Sequence, residues 1–217
     1  MIRVLLVDDH KLVRTGIRRL LADTAEIEVV AEAESGEEAI QLARSHRPQV
    51  VLMDVSMPGI GGLEATRKLL HQDPAIRIIA LSVHTDDPYP SRLLEAGAAG
   101  YLTKDCGAEE IITAIQRVSR GDVYIDADVA RSLAISGLPG HGGGNNFQKL
   151  SQREMQIMLM VVQGHAIQEI SDRLFISPKT VSTYRYRLFE KLGVANDVEL
   201  THLAIRHGIV GDSDNNK

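Results

Sequence analysis

The 217-residue chain contains a single cysteine, Cys106, no tryptophan, five tyrosines and three phenylalanines. One cysteine excludes an internal disulfide framework and fits a reducing cytosol. So few aromatic rings argue against a stacking platform for single-stranded nucleic acid. No uninterrupted apolar run reaches 18 residues, so no membrane span is expected. Asp8-Asp9-His10 cuts the first apolar stretch after seven residues, so no secretory signal is expected. There is no excess of basic charge: 24 Lys and Arg stand against 29 Asp and Glu, for a formal net charge of −5. That excludes a protein that coats nucleic acid over its whole surface, but not a basic module tied to an acidic one. Neither G-x-x-x-x-G-K-[ST] nor G-x-G-x-x-G occurs, so nucleotide binding has little support.

Hydrophobic residues make up 44% of the chain, enough to bury a core in one large domain or two small ones. Residues 2–7, 27–33, 50–53, 76–81 and 99–102 read as short apolar strands. Amphipathic segments at 11–22, 36–45, 63–72, 91–96 and 109–119 lie between and after them. This alternation predicts βαβ units: an α/β, doubly wound, five-stranded parallel sheet with helices on both faces. A ligand site is then expected at the carboxyl ends of the strands. The first domain is placed at 1–122 and a linker at 123–147, with a short helix at 128–134 as one way the first domain could extend. The linker is Gly-rich at 137–144, where neither helix nor strand should persist.

After the linker no strand pattern returns, and an all-α domain of four helices is expected over 148–210, followed by a polar tail at 211–217. Ser151 three residues before Glu154 is a capping-box signature for a helix ending near Val162. A second helix is read at 168–174. Ser177 and Pro178 open a third that Gly193 stops after Leu192, and 197–207 forms the fourth.

Three carboxylates fall where the sheet should open. Asp8 and Asp9 follow the first strand, and Asp54 ends the third. An all-oxygen set of this kind suits a hard cation such as Mg²⁺ better than zinc. Two further strand ends supply Ser82 and Lys104. The five together read as a phosphorylation site. Asp54 is the acceptor, Asp8, Asp9 and Asp54 are the metal ligands, Lys104 pairs with Asp54 or its phosphate, and Ser82 donates to phosphoryl oxygens. A single strand-end acid usually caps a helix or keeps a loop soluble; five suited side chains at successive strand ends favour chemistry. A metal-dependent hydrolase working through an aspartyl phosphate is the rival, although residues 55–62 offer no second acid.

Residues 168–192 have the rhythm of a helix-turn-helix. The helix from 178 places Val181, Leu188 and Leu192 on an apolar face. Lys179, Thr180, Ser182, Thr183, Tyr184, Arg185, Arg187 and Lys191 are the candidate DNA contacts, because cationic and hydroxyl side chains near a helix N-terminus suit a major groove. Residues 1–145 carry 15 Lys and Arg against 21 Asp and Glu, and residues 146–217 nine against eight. The acidity therefore belongs to the first module. A site this mildly basic should bind double-stranded DNA as a homodimer on paired half-sites. The alternative is an adaptor whose helices bind protein.

Leu6-Val7-Asp8-Asp9-His10, Leu52-Met53-Asp54-Val55-Ser56-Met57-Pro58-Gly59 and Gly100-Tyr101-Leu102-Thr103-Lys104 resemble the receiver domains of response regulators. Leu150-Ser151-Gln152-Arg153-Glu154, Gly164, Glu169-Ile170, Ile176-Ser177, Thr180-Val181 and Lys191-Leu192-Gly193-Val194 resemble the LuxR-type DNA-binding domain. The whole chain is similar to the NarL/FixJ class, and within it to the GacA/UvrY group through Leu5 to Arg14 and Ser182-Thr183-Tyr184-Arg185-Tyr186-Arg187. The resemblance implies the flavodoxin-like strand order 2-1-3-4-5 and a cognate sensor histidine kinase as phosphoryl donor. It also implies a cytoplasmic transcription factor whose only catalysis is Mg²⁺-dependent loading and slow loss of its own phosphoryl group. Tyr101 falls at an aromatic switch position, or is an ordinary half-buried tyrosine. Asp105 departs from the family's proline after the lysine. The last helix is implied to dimerise, with Val198, Leu203 and Ile209 as contacts or as bundle core.

Overall fold

Apolar residues alternate across the strands and sort into two packed faces. In a computed structural model, which describes residues 1–83, 89–136, 147 and 150–206, Val4 and Leu6 of β1 (Ile2–Val7) face one way and Leu5 and Val7 the other. The same split runs through β3 (Val50–Asp54) and β4 (Arg77–Ser82). It follows from the two-residue period of a strand buried on both faces. One face packs against α1 (Lys11–Ala22) and α5 (Ala108–Ser119), through Leu21, Ile111, Ala114, Ile115 and Val118. The other packs against α2 (Gly36–His46) and α3 (Gly61–Gln72), through Ala39, Ala43, Ala65 and Leu69.

With β2 (Ile27–Ala33) and β5 (Gly100–Thr103) the strands pair in parallel, in the order expected for the first five. The sheet has six strands rather than five. A two-residue strand, β6 (Tyr124–Ile125), adds to β5, with Gly100 opposite Tyr124 and Tyr101 opposite Ile125. It is too short to show a period in the sequence.

The linker expected from residue 123 is corrected at its start. β6 is followed by α6 (Ala127–Ser136), and the first unit runs to Ala134. Val129 is fully buried in a cluster with Val55, Leu93 and Tyr101, and Leu133 packs against it. The helix α4 (Tyr89–Glu95) adds Leu93 to that cluster. The Gly-rich segment 137–144 and the tail 211–217 lie outside the described residues.

The second unit is helical, with α7 (Gln152–Val162), α8 (Ile167–Leu174), α9 (Pro178–Leu192) and α10 (Asp197–Arg206). The capping box forms as expected: the Glu154 amide donates to Ser151 Oγ, and Glu154 Oε2 accepts from the Ser151 amide at 2.6 Å. Ser177 caps α9 by accepting from the Thr180 amide, and Gly193 closes it at φ +69°, a left-handed conformation that favours glycine. Met155, Ile157, Met158, Ile170, Val181, Leu188 and Leu200 are buried between these helices. Among the described residues no helix is long and apolar enough to cross a membrane.

Because Val129 and Leu133 complete the core beside Tyr101, a fragment of residues 1–122 should be less stable than one of residues 1–136. Losing one buried valine and part of a leucine predicts a deficit of at least about 2 kcal/mol in urea unfolding.

Candidate functional site

Each of the five expected residues stands at a carboxyl end of the sheet. Asp8 and Asp9 follow β1, Asp54 is the last residue of β3, Ser82 the last of β4, and Lys104 comes just after β5. Parallel pairing of β1, β3, β4 and β5 brings these ends side by side. Lys104 Nζ donates to Asp8 Oδ2 at 2.8 Å and lies 3.1 Å from Asp54 Oδ2. The Lys104 amide donates to the Ser82 carbonyl at 2.8 Å, which ties the lysine's loop to the end of β4. Asp8, Asp54 and Ser82 are all buried.

Burial pushes the Asp54 carboxyl up, the Lys104 charge opposes that, and Asp8 adds to it; the balance lies at about 6. Asp54 is therefore mainly ionised at neutral pH. Burial alone would lower the Lys104 ammonium, but hydrogen bonds and charge from Asp8 and Asp54 outweigh it, and it stays protonated. The neighbouring Cys106 thiol is pushed up to about 11 by burial, with Glu110 and Asp126 adding to it. It is no thiolate at neutral pH.

Asp8, Asp9, His10 and Asp54 each offer one ligand atom, and these atoms lie within 4.8 Å of one another. The three carboxylates match the oxygen donors that Mg²⁺ prefers. His10 Nδ1 stands 2.8 Å from Asp9 Oδ1 and 3.2 Å from Asp8 Oδ1. The donor set therefore fits a hard divalent cation.

Two supports of this pocket were not legible in the sequence. Arg14, on α1, is buried; it donates to the Asp8 carbonyl at 2.6 Å and pairs with Glu34. An arginine within an amphipathic helix normally reads as a solvated face residue, and nothing in the spacing marks this one as buried. Gly62, in the first turn of α3, approaches the Asp54 backbone so closely that a Cβ there would sit 2.1 Å from the Asp54 carbonyl oxygen. Tyr101 is fully buried rather than half-buried, packed with Val55, Leu63, Ala80 and Leu93. After Lys104 the chain turns at Asp105, with the Cys106 amide donating to the Thr103 carbonyl.

In the second unit α9 spans the expected residues, but its candidate contacts divide. Lys179, Ser182, Thr183 and Arg187 are exposed, whereas Thr180 and Tyr184 are half-buried on its flanks. Tyr186, 65% exposed, lies on the Lys179 side one heptad away and belongs with this face; the helical period carries that signal. The Ser182 and Thr183 hydroxyls donate to the carbonyls of Pro178 and Lys179. Their lone pairs and the threonine methyl remain for other contacts. The Arg187 guanidinium stands 6.0 Å from the centre of the Tyr184 ring.

Two of the expected DNA contacts have carboxylate partners within the helical unit. Lys191 Nζ donates to the buried carboxylate of Glu154 at 2.7 Å, and the Arg185 guanidinium pairs with Asp197. Both charges are used inside the helical unit. A cation on a helix looks the same in sequence whether its partner is a phosphate or a carboxylate brought in by folding. Val198 is 65% exposed, so it is not bundle core; Leu203 is half-buried, and Ile209 lies outside the described residues.

Residues 4–116 match the response regulator receiver domain, and residues 148–204 match the luxR family of bacterial regulatory proteins. The chain belongs to the two-component response regulators that join a receiver domain to a LuxR-type DNA-binding domain and regulate transcription. It is 54% identical over 210 residues to the response regulator GacA of Pseudomonas aeruginosa, covering 97% of this chain and 98% of that one. It is 53% identical over 209 residues to the response regulator UvrY of Escherichia coli K12, covering 96% of each. The structure of RcsB from Salmonella enterica serovar Typhimurium, bound to promoter rprA with phosphomimetic BeF3-, is similar at a TM-score of 0.66 and 25% identity. That match covers 93% of this chain and 98% of that one.

The Glu154 carboxylate yields a pH-dependent test. Burial raises it, but hydrogen bonds from Lys191 and from Ser151 outweigh that and hold it below the usual 4.5. A carboxyl depressed in the folded state adds stability above its unfolded value and loses it as pH falls through the folded one. Glu154→Gln should therefore destabilise the helical unit by about 1–2 kcal/mol at pH 7, a modest figure because Lys191 is partly solvated. The gap should narrow as pH falls below the usual carboxylate range and close once Glu154 is protonated in the folded state, as measured by amide hydrogen exchange in α7 and α9.

Proposed function

We propose that phosphoryl transfer to Asp54 switches this response regulator between states that differ in DNA affinity. The observation that carries the reading is the buried cluster of Asp54, Asp8 and Lys104 at the carboxyl ends of three strands. Asp54 Oδ is an ionised oxygen nucleophile, and Lys104 holds an ammonium within 3.1 Å of it. A cognate sensor histidine kinase would supply a phosphohistidine. The Asp54 oxygen bonds to phosphorus as the P–N bond breaks, and the imidazole leaves and takes up a proton. Asp8, Asp9 and Asp54 would hold Mg²⁺, which when bound offsets negative charge on the phosphoryl oxygens.

Lys104 then pairs with the phosphoryl oxygens, and the Ser82 hydroxyl donates to one of them. Ser82 and the buried Tyr101 lie on adjacent strands, so Tyr101 registers the shift by a change of rotamer. Self-loading and slow hydrolysis of this one bond are the only catalysis assigned. A homodimer would bind double-stranded promoter DNA, with α9 in the major groove and Lys179, Thr180, Ser182, Thr183, Tyr184, Tyr186 and Arg187 along it. The RcsB–promoter structure with a phosphomimetic supports that coupling by likeness. A location in the cytoplasm fits DNA and a kinase's cytoplasmic face as partners.

The test is DNA binding across a promoter pool, with and without acetyl phosphate and Mg²⁺, alongside Asp54→Ala. Intact mass should show one phosphoryl group per wild-type chain and none on Asp54→Ala. Affinity should rise roughly tenfold only in the loaded wild type. Equal DNA binding by all forms would refute phosphorylation control. Repeated turnover of a phosphorylated substrate without stoichiometric labelling would favour the hydrolase instead.

A further inference from the structure

The pair between Arg185 and Asp197 has no part in the reading just given, and its geometry is specific. Arg185 Nε donates to Asp197 Oδ1 at 3.2 Å, and Nη2 of the same guanidinium donates to Oδ2, a two-pronged fork. The Arg185 side chain is only 22% exposed, and its guanidinium lies 5.8 Å from the centre of the Phe189 ring. At 3.6 residues per turn, Arg185 projects about 120° away from the line through Lys179, Thr183 and Tyr186. It lies beside the buried Val181, Leu188 and Leu192.

Asp197 is the first residue of α10, but it does not cap that helix. Asn196 Oδ1 accepts from the Glu199 amide at 2.9 Å, and Glu199 Oε2 accepts from the Ala195 amide at 2.8 Å. The Asp197 carboxylate is therefore available to Arg185, at a helix start that favours negative charge. A cavity of about 290 Å³ opens at the fork, lined by Val161, His165, Ile167 and Ile170 together with Arg185 and Asp197. The fork borders this open space, so the ion pair adds a second hold on α9 beside its apolar packing against α7 and α8.

We propose that Arg185 is a positioning residue for DNA binding: its fork onto Asp197 ties α9 to the start of α10, two helices that each pack on α7, and it does not contact DNA. The two roles predict opposite behaviour at Asp197. A DNA-contacting arginine would be helped, or left unchanged, by losing a neighbouring carboxylate. A strut fails when either end is cut.

The full chain, loaded with acetyl phosphate and Mg²⁺, would be titrated with the duplex that wild type selects most strongly from a random pool. Arg185→Ala and Asp197→Ala should each weaken binding about tenfold, and the double variant no further. Arg185→Lys keeps the charge but not the fork, and should lose nearly as much. The exchange Arg185→Asp with Asp197→Arg should recover most of the loss. The slope of log affinity against log salt should stay at its wild-type value. Amide exchange in α7 reports whether each variant keeps the bundle; if a single variant loses it, the exchanged pair carries the test. The proposal is overturned if Arg185→Ala flattens the salt slope by about one phosphate while Asp197→Ala binds as well as wild type. It is equally overturned if neither single variant changes affinity, or if the exchanged pair recovers nothing.

Discussion

Two buried carboxylates from different strands, Asp8 and Asp54, share one ammonium group, that of Lys104. Without it, each buried carboxylate would face desolvation and the other's repulsion with no compensating charge. With it, burial still pushes Asp54 up to about 6, yet the group is mainly a carboxylate at neutral pH. The rest of the receiver serves this juxtaposition. Apolar strands buried on both faces fix parallel pairing, pairing fixes which ends are neighbours, and the ends carry the charges. Arg14 holds the Asp8 backbone from one side, and Gly62 leaves room for the Asp54 backbone from the other.

The helical unit uses charge differently. Two of its cations, Arg185 and Lys191, are paired with carboxylates inside the bundle, at Asp197 and Glu154. Among the described residues Lys179 and Arg187 form no ion pair, and both are exposed on α9. A nearly balanced count of nine basic and eight acidic residues over 146–217 is thus compatible with a cationic helix face. The internal pairs remove as many negative charges as positive ones. Net charge is a poor guide to such a surface because it counts structural and exposed charges alike.

Most of the architecture was legible because periodicity and punctuation are local. The first five strands and the four C-terminal helices lie within a residue or two of where alternation, capping serines, Pro178 and Gly193 place them. β6 escaped because two residues carry no period. α6 was weighed only as a possible extension, since its apolar residues match partners far away in sequence. The acidic pocket was legible because strand-end residues in a parallel sheet converge by topology, so Asp8, Asp9, Asp54, Ser82 and Lys104 needed no contact information. Arg14 and Gly62 were not, because burial of an arginine and the clearance around a glycine are properties of neighbours.

By itself the amino-acid sequence determined the two-part design, the strand order through its family likeness, and the five side chains at the sheet's open end. Only the tertiary structure decided what each charge faces. It gave Lys191 and Arg185, both expected DNA contacts, the carboxylate partners Glu154 and Asp197. It also carried the receiver's core past residue 122 to Val129 and Leu133. The physical reason is the same each time. A residue's type and spacing set what it can do locally, while an ion pair or a buried contact needs a second group that only folding brings within reach.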